Sequence, residues 1–232
     1  QRQMCIRDRV LDAASPVFDD VTSGVGDEGS HWVPGLKLQA RGYYFDGLGK
    51  DDLGKVIAPN ARESADAFLA RLASSGHKPG AYGKASFTGV GQRVRVQAMT
   101  KPDGDAAYLT PKTGGFGTWV WVFRRSEQSK RAQEYLTGDW VSPFMEASES
   151  NVGRGKVEVM STVTEHSADI GAELSDTITV SGFPADHGQF TGDETYGFAA
   201  DQPYATVSVW WSGDPDNPSN DEAYKASGGE VP

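Results

Sequence analysis

The chain has 232 residues, of which 38% are hydrophobic and 10% aromatic, enough for packed cores in one large or two modest domains. Its 22 basic and 32 acidic residues give a net charge of −10, a field that repels nucleic acid and anionic lipid. No apolar run approaches the roughly 20 residues that span a bilayer, so we expect no membrane insertion within this segment. The 28 glycines and 12 prolines indicate frequent turns, which are typical of a mostly-β fold.

The first nine residues, QRQMCIRDR, show neither strand alternation nor a helical stripe. They resemble the peptide obtained when sequencing-adapter DNA is translated, and the alternative is an ordinary disordered tail. We therefore leave residues 1–9 out of the fold prediction. They include Cys5, the single cysteine of the sequence, so no disulfide can form within the chain.

Alternation of apolar and polar residues predicts the first strands. One short strand is centred on residues 17–21, and two more cover residues 36–40 and 92–99. In the last two, every second residue is apolar, which predicts one buried face and one face in water. The predicted buried residues are Leu36, Leu38, Ala40, Val94, Val96 and Ala98, and the predicted exposed residues are Lys37, Arg93 and Arg95.

A helical pattern lies between these strands, and we predict a helix over residues 60–73. Asn60 suits the N-cap, Glu63 completes a capping box, and Gly76 supplies a stop. The apolar residues Ala61, Ala65, Phe68, Leu69 and Leu72 fall on one face.

The run FGTWVWVFR, residues 116–124, is apolar on both faces and predicts a central strand covered on either side. Residues 126–136 predict either a short helix or a long hairpin loop. Residues 140–146 predict a returning strand.

The later part of the chain repeats the order of the earlier part. In each part, an apolar run that ends in Ser-Gly is followed by a second run that ends in paired aromatics and a glycine. The earlier pair of runs is VFDDVTSG (17–24) and PGLKLQARGYYFDG (34–47), and the later pair is GAELSDTITVSG (171–182) and PYATVSVWWSG (203–213). We infer one module written twice. The prediction is a tandem of β-sandwich (Ig-like) modules, the first over residues 10–158 with the inserted helix and the second, incomplete, over residues 159–232.

In the second module, Ile178 and Val180 are predicted to be buried. We also expect an apolar face at its end that further residues would normally cover, and its members are Val207, Val209 and one of Trp210 and Trp211.

Catalytic motifs with the required spacing do not occur in the sequence. It has no nucleophile elbow, no H-E-x-x-H pair and no Walker loop, and the four histidines at positions 31, 77, 166 and 187 are far apart. We therefore predict that the chain is not an enzyme and needs no cofactor.

The densest cluster of oxygen ligands lies near the end of the chain and is the one candidate for calcium. Its spacing departs from an EF-hand loop because Pro218 occupies the third ligand position, and a solvated turn is the favoured interpretation. The candidate residues are Asp214, Asp216, Asn217, Asn220 and Asp221.

Two aromatic pairs, Tyr43-Tyr44 and Trp210-Trp211, offer a possible sugar-stacking surface. A strand sends one member of each pair to either face, and core packing accounts for the inner member. A Lys–Asn isopeptide crosslink has little support, because Lys37 is predicted to face outward and Asn151 lies in the polar stretch SESNVG.

Four segments together resemble the long β-sandwich repeats of cell-wall-anchored, sortase-type surface proteins of actinobacteria. They are SDTITVSG, GTWVWVF, GDWVSPFMEASESNV and KVEVMSTVTEHSADIGAEL. The resemblance covers essentially residues 10–211. It implies an extracellular, cell-wall-anchored stalk or adhesin segment that meets a ligand or glycan on a host or neighbouring cell. The alternatives are a carbohydrate-binding surface module and a fragment of a secreted hydrolase. The family has no binding motif that can be transferred to this sequence.

Overall fold

The computed structural model describes residues 10–26, 31–155, 157–164, 167, 169, 171–183 and 188–201, and the backbone of two later strands. The regular secondary structure of the described residues is mostly strands, with two α-helices, and this confirms the mostly-β prediction. The strands are β1 Val10–Asp12, β2 Phe18–Thr22, β3 Leu38–Leu48, β4 Ala81–Phe87, β5 Arg93–Gln97, β6 Gly115–Phe123, β7 Trp140–Val141, β8 Ser150–Arg154, β9 Glu158–Val163, β10 Asp176–Ser181, β11 Ala205–Trp210 and β12 Lys225–Val231; the helices are α1 Ala65–Ser74 and α2 Lys130–Gln133.

The chain divides into two compact units, Gln1–Pro184 and Ala185–Pro232. In the first unit, six strands form one sheet in the order β1-β8-β6-β3-β4, with β7 paired to β6. Strand β6 lies in the middle and is buried from Phe116 to Phe123, as its apolar sequence predicts. Most neighbours pair antiparallel, whereas β1 pairs parallel with β8.

Strands β2 and β5 form a separate antiparallel pair that packs on the six-stranded sheet. Val21 and Val96 from this pair join Tyr44, Trp119 and Trp121 from the larger sheet in one apolar core. The two tryptophan rings stack with centroids 5.3 Å apart.

The stacked indoles lie directly against the backbone of β3 and β4. Gly42 pairs with Gly83 across these strands, and a Cβ at Gly42 would lie 2.7 Å from the ring of Trp121. Only a glycine leaves room for the rings at this position.

The burial pattern of the predicted strands follows the alternation. Leu36, Ala40, Val96 and Ala98 are buried. Leu38, Val94, Ile178 and Val180 are half-buried, while Lys37, Arg93 and Arg95 are exposed. The predicted register is therefore correct, whereas Leu38, Val94, Ile178 and Val180 are less buried than predicted.

The predicted start of the helix was wrong. The helix begins at Ala65, and Ser64 is its N-cap, because the Ser64 hydroxyl accepts a hydrogen bond of 3.2 Å from the Ala67 amide. Asn60 and Glu63 do form a reciprocal contact, in which the Asn60 amide donates to the Glu63 carboxylate over 2.7 Å. That contact closes a turn before the helix, so it does not pair the free backbone amides of the first helical turn.

The end and the buried face of the helix agree with the sequence pattern. Gly76 has a φ of +92°, which suits a glycine that terminates a helix. Ala65, Phe68 and Leu72 are fully buried, whereas Ala61 precedes the helix and is exposed.

The region after the central strand is more irregular than predicted. Residues 126–136 contain the one-turn helix α2, with a short 3₁₀ turn before it. The predicted strand over residues 140–146 is limited to Trp140–Val141, and Phe144 then makes an isolated bridge with Ile57. Pro143 lacks a backbone donor and so cannot continue the ladder beyond this point.

Strands β9 and β10 pair as an antiparallel hairpin within the first unit, and β11 and β12 form a second hairpin in the second unit. The predicted module boundary falls at the start of β9. Strand β10 pairs with the strand before it, whereas its proposed counterpart β2 pairs with β5. The two-module division and the repeat stay predictions. Among the described residues, no helix is long and apolar enough to cross a membrane.

Candidate functional site

A cleft of about 940 Å³ opens beside the edge strand β4 in the first unit. Arg41 and Tyr43 of β3 lie directly opposite Lys84 and Tyr82 of β4. Opposed residues of antiparallel strands point to the same face, so these four side chains form one wall. The volume lies in the range of small-molecule binding sites. The rest of the lining comes from β5 and the chain that follows it to residue 104, from the segment after β6 and from helix α1. These lining residues are Arg95, Gln97, Met99, Lys101, Asp103, Arg124, Glu127 and Asp66.

Two half-buried tyrosines give the cleft an aromatic corner. The ring centroids of Tyr43 and Tyr82 are 5.9 Å apart, and the ring planes meet at 76°. The guanidinium carbon of Arg124 lies 5.4 Å from the centre of the Tyr43 ring. Tyr44 points to the opposite face and is buried in the core, as strand alternation predicts.

Charged side chains surround the aromatic corner in a continuous network. Arg41 lies 2.7 Å from Asp103 and 3.0 Å from Glu127. Arg124 lies 2.9 Å from Asp66 and 3.4 Å from Glu127. The bonds from Asp103 and Glu127 raise the pKa of Arg41, and the bonds from Arg41 and Lys84 lower the pKa of Asp103. The carboxylate of Asp103 is therefore held in its ionised form.

Asp103 has an unusual position in the cleft. Its carboxylate bridges two cations, because Oδ2 meets Arg41 and Oδ1 lies 3.2 Å from Lys84. The residue lies in the turn closed by the Gly104 amide and the Lys101 carbonyl, and its φ is +54°. This left-handed conformation is uncommon outside glycine, although aspartate is among the residues that tolerate it best. The side chain is half exposed.

Two carboxyl groups lie in the interior between the sheets, away from the cleft. Asp19 of β2 and Glu149 before β8 are each 1% exposed. Burial raises the pKa of Asp19 to about 6, although hydrogen bonds from Trp121 and Glu149 oppose the rise. Neither group is accessible to a substrate.

The sequence-predicted candidates have different outcomes. The calcium candidates Asp214, Asp216, Asn217, Asn220 and Asp221 lie outside the described residues, as does Trp211. The side chains of Val207, Val209 and Trp210 also lie outside the described part, so the uncovered apolar face stays a prediction. Across the described residues, no three His, Cys, Asp or Glu side chains are grouped to hold a metal ion.

Asn151 differs from what its polar neighbours suggested. It lies in β8, is 1% exposed, and accepts a hydrogen bond of 2.9 Å from the Tyr44 hydroxyl. Lys37 is exposed. The crosslink requires both partners to be buried, so the exposed lysine gives it no support.

Comparison of the chain with known protein families, curated proteins and solved structures found no match.

The charged half of the cleft was not identified from the sequence. Arg41, Lys84, Asp103 and Glu127 come from four separate segments that meet only in the folded sheet. One signal was present, because Arg41 and Tyr43 share the outward face of a predicted strand. Tyr43 was the only lining residue that the sequence offered as a ligand contact, whereas Arg95 was predicted only to be exposed.

Proposed function

We propose that the chain is a non-catalytic, adhesin-type module of a cell-surface protein and that it binds a carbohydrate in the cleft. The observation that carries this proposal is the aromatic corner of Tyr43 and Tyr82 within a ring of charged side chains. A pyranose has an apolar face that packs on an aromatic ring and a rim of hydroxyls that pair with charged donors and acceptors. The cleft offers both kinds of contact.

The shape of the corner favours a short oligosaccharide over a long flat polymer. The two tyrosine rings are nearly perpendicular, so they do not form a flat row. A sugar ring packed on one of them would have its edge near the other. The loop of residues 101–104 also bounds the cleft.

Binding suits the cleft better than hydrolysis does. A glycosidase needs one carboxyl of raised pKa to act as an acid beside a second carboxylate. In the cleft, Asp66, Asp103 and Glu127 are each paired with an arginine. Asp19, whose pKa is raised by burial, is 1% exposed and does not line the cleft.

The cell-surface setting is the second part of the proposal. The mostly-β fold, the acidic charge and the resemblance to actinobacterial wall-anchored proteins support an extracellular, wall-anchored segment. The flanking gene sequence tests this part. Further repeats and an anchoring signal are expected, and an adjoining catalytic domain would favour the secreted hydrolase instead.

Calorimetric titration with a panel of neutral and acidic oligosaccharides tests the binding. Tyr82→Ala is the informative variant, because Tyr82 is half-exposed on an edge strand and its backbone bonds to Met99 do not need the ring. We expect a loss of about tenfold in affinity from the missing ring contact. Tyr135→Ala is the matched control, since Tyr135 is 53% exposed and does not line the cleft.

Three outcomes separate the candidate functions. Binding that Tyr82→Ala weakens and Tyr135→Ala preserves supports the module. Chromatography of the sugars after incubation checks for cleavage, and shortened products would favour the hydrolase. If no member of the panel binds, the carbohydrate proposal is contradicted, and a structural stalk is the remaining candidate function.

A further inference from the structure

The cleft is basic although the chain is acidic. Five basic side chains line it against three acidic ones, whereas the chain as a whole carries a net charge of −10. A local excess of positive charge attracts anions to this place on the surface. The basic residues are Arg41, Lys84, Lys101, Arg95 and Arg124, and the acidic residues are Asp66, Asp103 and Glu127.

An anion from the protein itself already sits at the most basic point. The carboxylate of Asp103 contacts Arg41 at 2.7 Å and Lys84 at 3.2 Å. Arg41 and Lys84 are directly paired across β3 and β4, so the sheet backbone fixes the spacing of the two cations. One carboxylate oxygen of Asp103 meets each cation, so a single carboxylate spans the pair with two charge-assisted hydrogen bonds.

The hold on Asp103 is weak enough for exchange. The residue lies on a surface turn with a φ of +54°, and its side chain is 51% exposed. Ion pairs of this exposure contribute little to stability, and a left-handed backbone at a non-glycine residue adds a cost. A carboxylate from a ligand can therefore replace that of Asp103 without loss of a buried contact.

The two cations also lie close enough to the aromatic corner for one sugar to reach both. Arg41 and Lys84 are two residues along their strands from Tyr43 and Tyr82, a distance of about 7 Å. A sugar ring that packs on the corner would have its ring substituents near the two cations.

We propose that the carbohydrate bound by the cleft is acidic and that its carboxylate bridges Arg41 and Lys84 in the place that Asp103 occupies in the free protein. This inference rests on the proposed carbohydrate-binding function and names the class of sugar. Asp103 then acts as an internal competitor that neutral sugars do not need to displace.

The test compares trigalacturonate with its fully methyl-esterified form, which keeps the sugar skeleton and removes the charge. Both are titrated by calorimetry into the parent chain and into Asp103→Asn. We expect the parent to prefer the acid, and Asp103→Asn to bind the acid about two- to fivefold more tightly because two exposed ion pairs no longer compete. The affinity for the ester should not change.

Two further measurements test whether the preference for the acid comes from the charge at Arg41 and Lys84. Lys84→Gln should reduce the preference for the acid, and Lys84 is 46% exposed, so the variant does not disturb the core. Raising the salt concentration should weaken binding of the acid and leave that of the ester unchanged. Asp51→Asn, at an exposed aspartate outside the cleft, is the matched control for a loss of one negative charge.

Each outcome decides the proposal. Equal binding of acid and ester, or preference for the ester, would overturn it while leaving the carbohydrate function in place. Preference for the acid that Asp103→Asn does not increase would overturn the exchange with Asp103. Binding of neither sugar, with none from the wider panel, would overturn the proposed function and this inference together.

Discussion

The indole nitrogen of Trp121 donates a hydrogen bond of 2.6 Å to Oδ2 of Asp19, and this bond joins the six-stranded sheet to the β2–β5 pair through the core. Asp19 is only 1% exposed. Its burial has a cost that the indole donor offsets only in part, and the result is a carboxyl that titrates at a pKa of about 6.

Asp19 therefore makes stability depend on pH. The folded pKa of about 6 exceeds the ordinary value of 3.8, so between these values the folded chain binds more protons than the unfolded chain. The contribution of Asp19 to stability consequently falls as the pH rises from about 4 to about 6, by roughly 3 kcal/mol. Above pH 6 it changes no further.

Asp19→Asn should remove this dependence. The amide oxygen can still accept from Trp121, and the amide nitrogen can donate to Glu149 without a titrating proton. We expect the free energy of unfolding at pH 7 to rise by about 1–3 kcal/mol and its slope between pH 4 and 6 to flatten. Urea unfolding across this range measures both. Asp51→Asn, at an exposed aspartate, should leave the slope as in the parent. A parallel slope in Asp19→Asn would show that another carboxyl controls it.

A second prediction concerns the glycine beneath the stacked tryptophans. Gly42→Ala would bring a methyl group to 2.7 Å from Trp121 and 2.8 Å from Trp119. Because both rings are fully buried, they have little room to move, and we expect a loss of about 1–3 kcal/mol in urea unfolding. Gly138→Ala is the control, since a Cβ there meets no atom within 4 Å. An unchanged stability of Gly42→Ala would mean that the indoles can shift.

A third prediction separates the two candidate starts of helix α1. Ser64→Ala removes the hydroxyl that accepts from the Ala67 amide and should cost about 1 kcal/mol of stability. Asn60→Ala should cost less, because the contact with Glu63 uses the Asn60 backbone amide and survives the change. Thermal unfolding of the two variants measures the difference. A larger loss of stability for Asn60→Ala than for Ser64→Ala would support the helix start at residue 60 that the sequence predicted.

A fourth prediction tests the buried bond of Tyr44. Tyr44→Phe leaves the side chain of Asn151 without its hydroxyl partner in a position that is 1% exposed. An unpaired buried polar group costs about 1–3 kcal/mol, so the free energy of unfolding should fall by this amount. Tyr135→Phe, at a half-exposed tyrosine, should change it little. Equal stabilities of the two variants would show that water replaces the lost hydroxyl.

These residues also show how far the sequence alone could go. The alternation around Ala40 and Val96 gave the correct register, because a strand repeats every two residues and its apolar face must be covered. The start of the helix was missed because Asn60 and Ser64 both suit an N-cap, and in the structure the Ser64 side chain caps the helix.

The candidate site was less predictable for a physical reason. Tyr43 could be found from the paired aromatics, since only one of the two can face the core. The meeting of Arg41, Lys84 and Asp103 depends on strand pairing and on a turn, and these bring together residues up to 62 positions apart. The burial of Asn151 likewise depends on β8 lying beside the central strand, which its polar neighbours do not reveal.

The central claim is that the cleft binds a carbohydrate, and mapping of backbone amide shifts by nuclear magnetic resonance tests it most directly. The isotope-labelled chain is titrated with the oligosaccharide that binds best in calorimetry. We expect the largest shifts at residues 41–43, 82–84, 101, 103 and 104, and little change around Tyr135. Shifts concentrated elsewhere, or no shift at saturating sugar, would contradict the account.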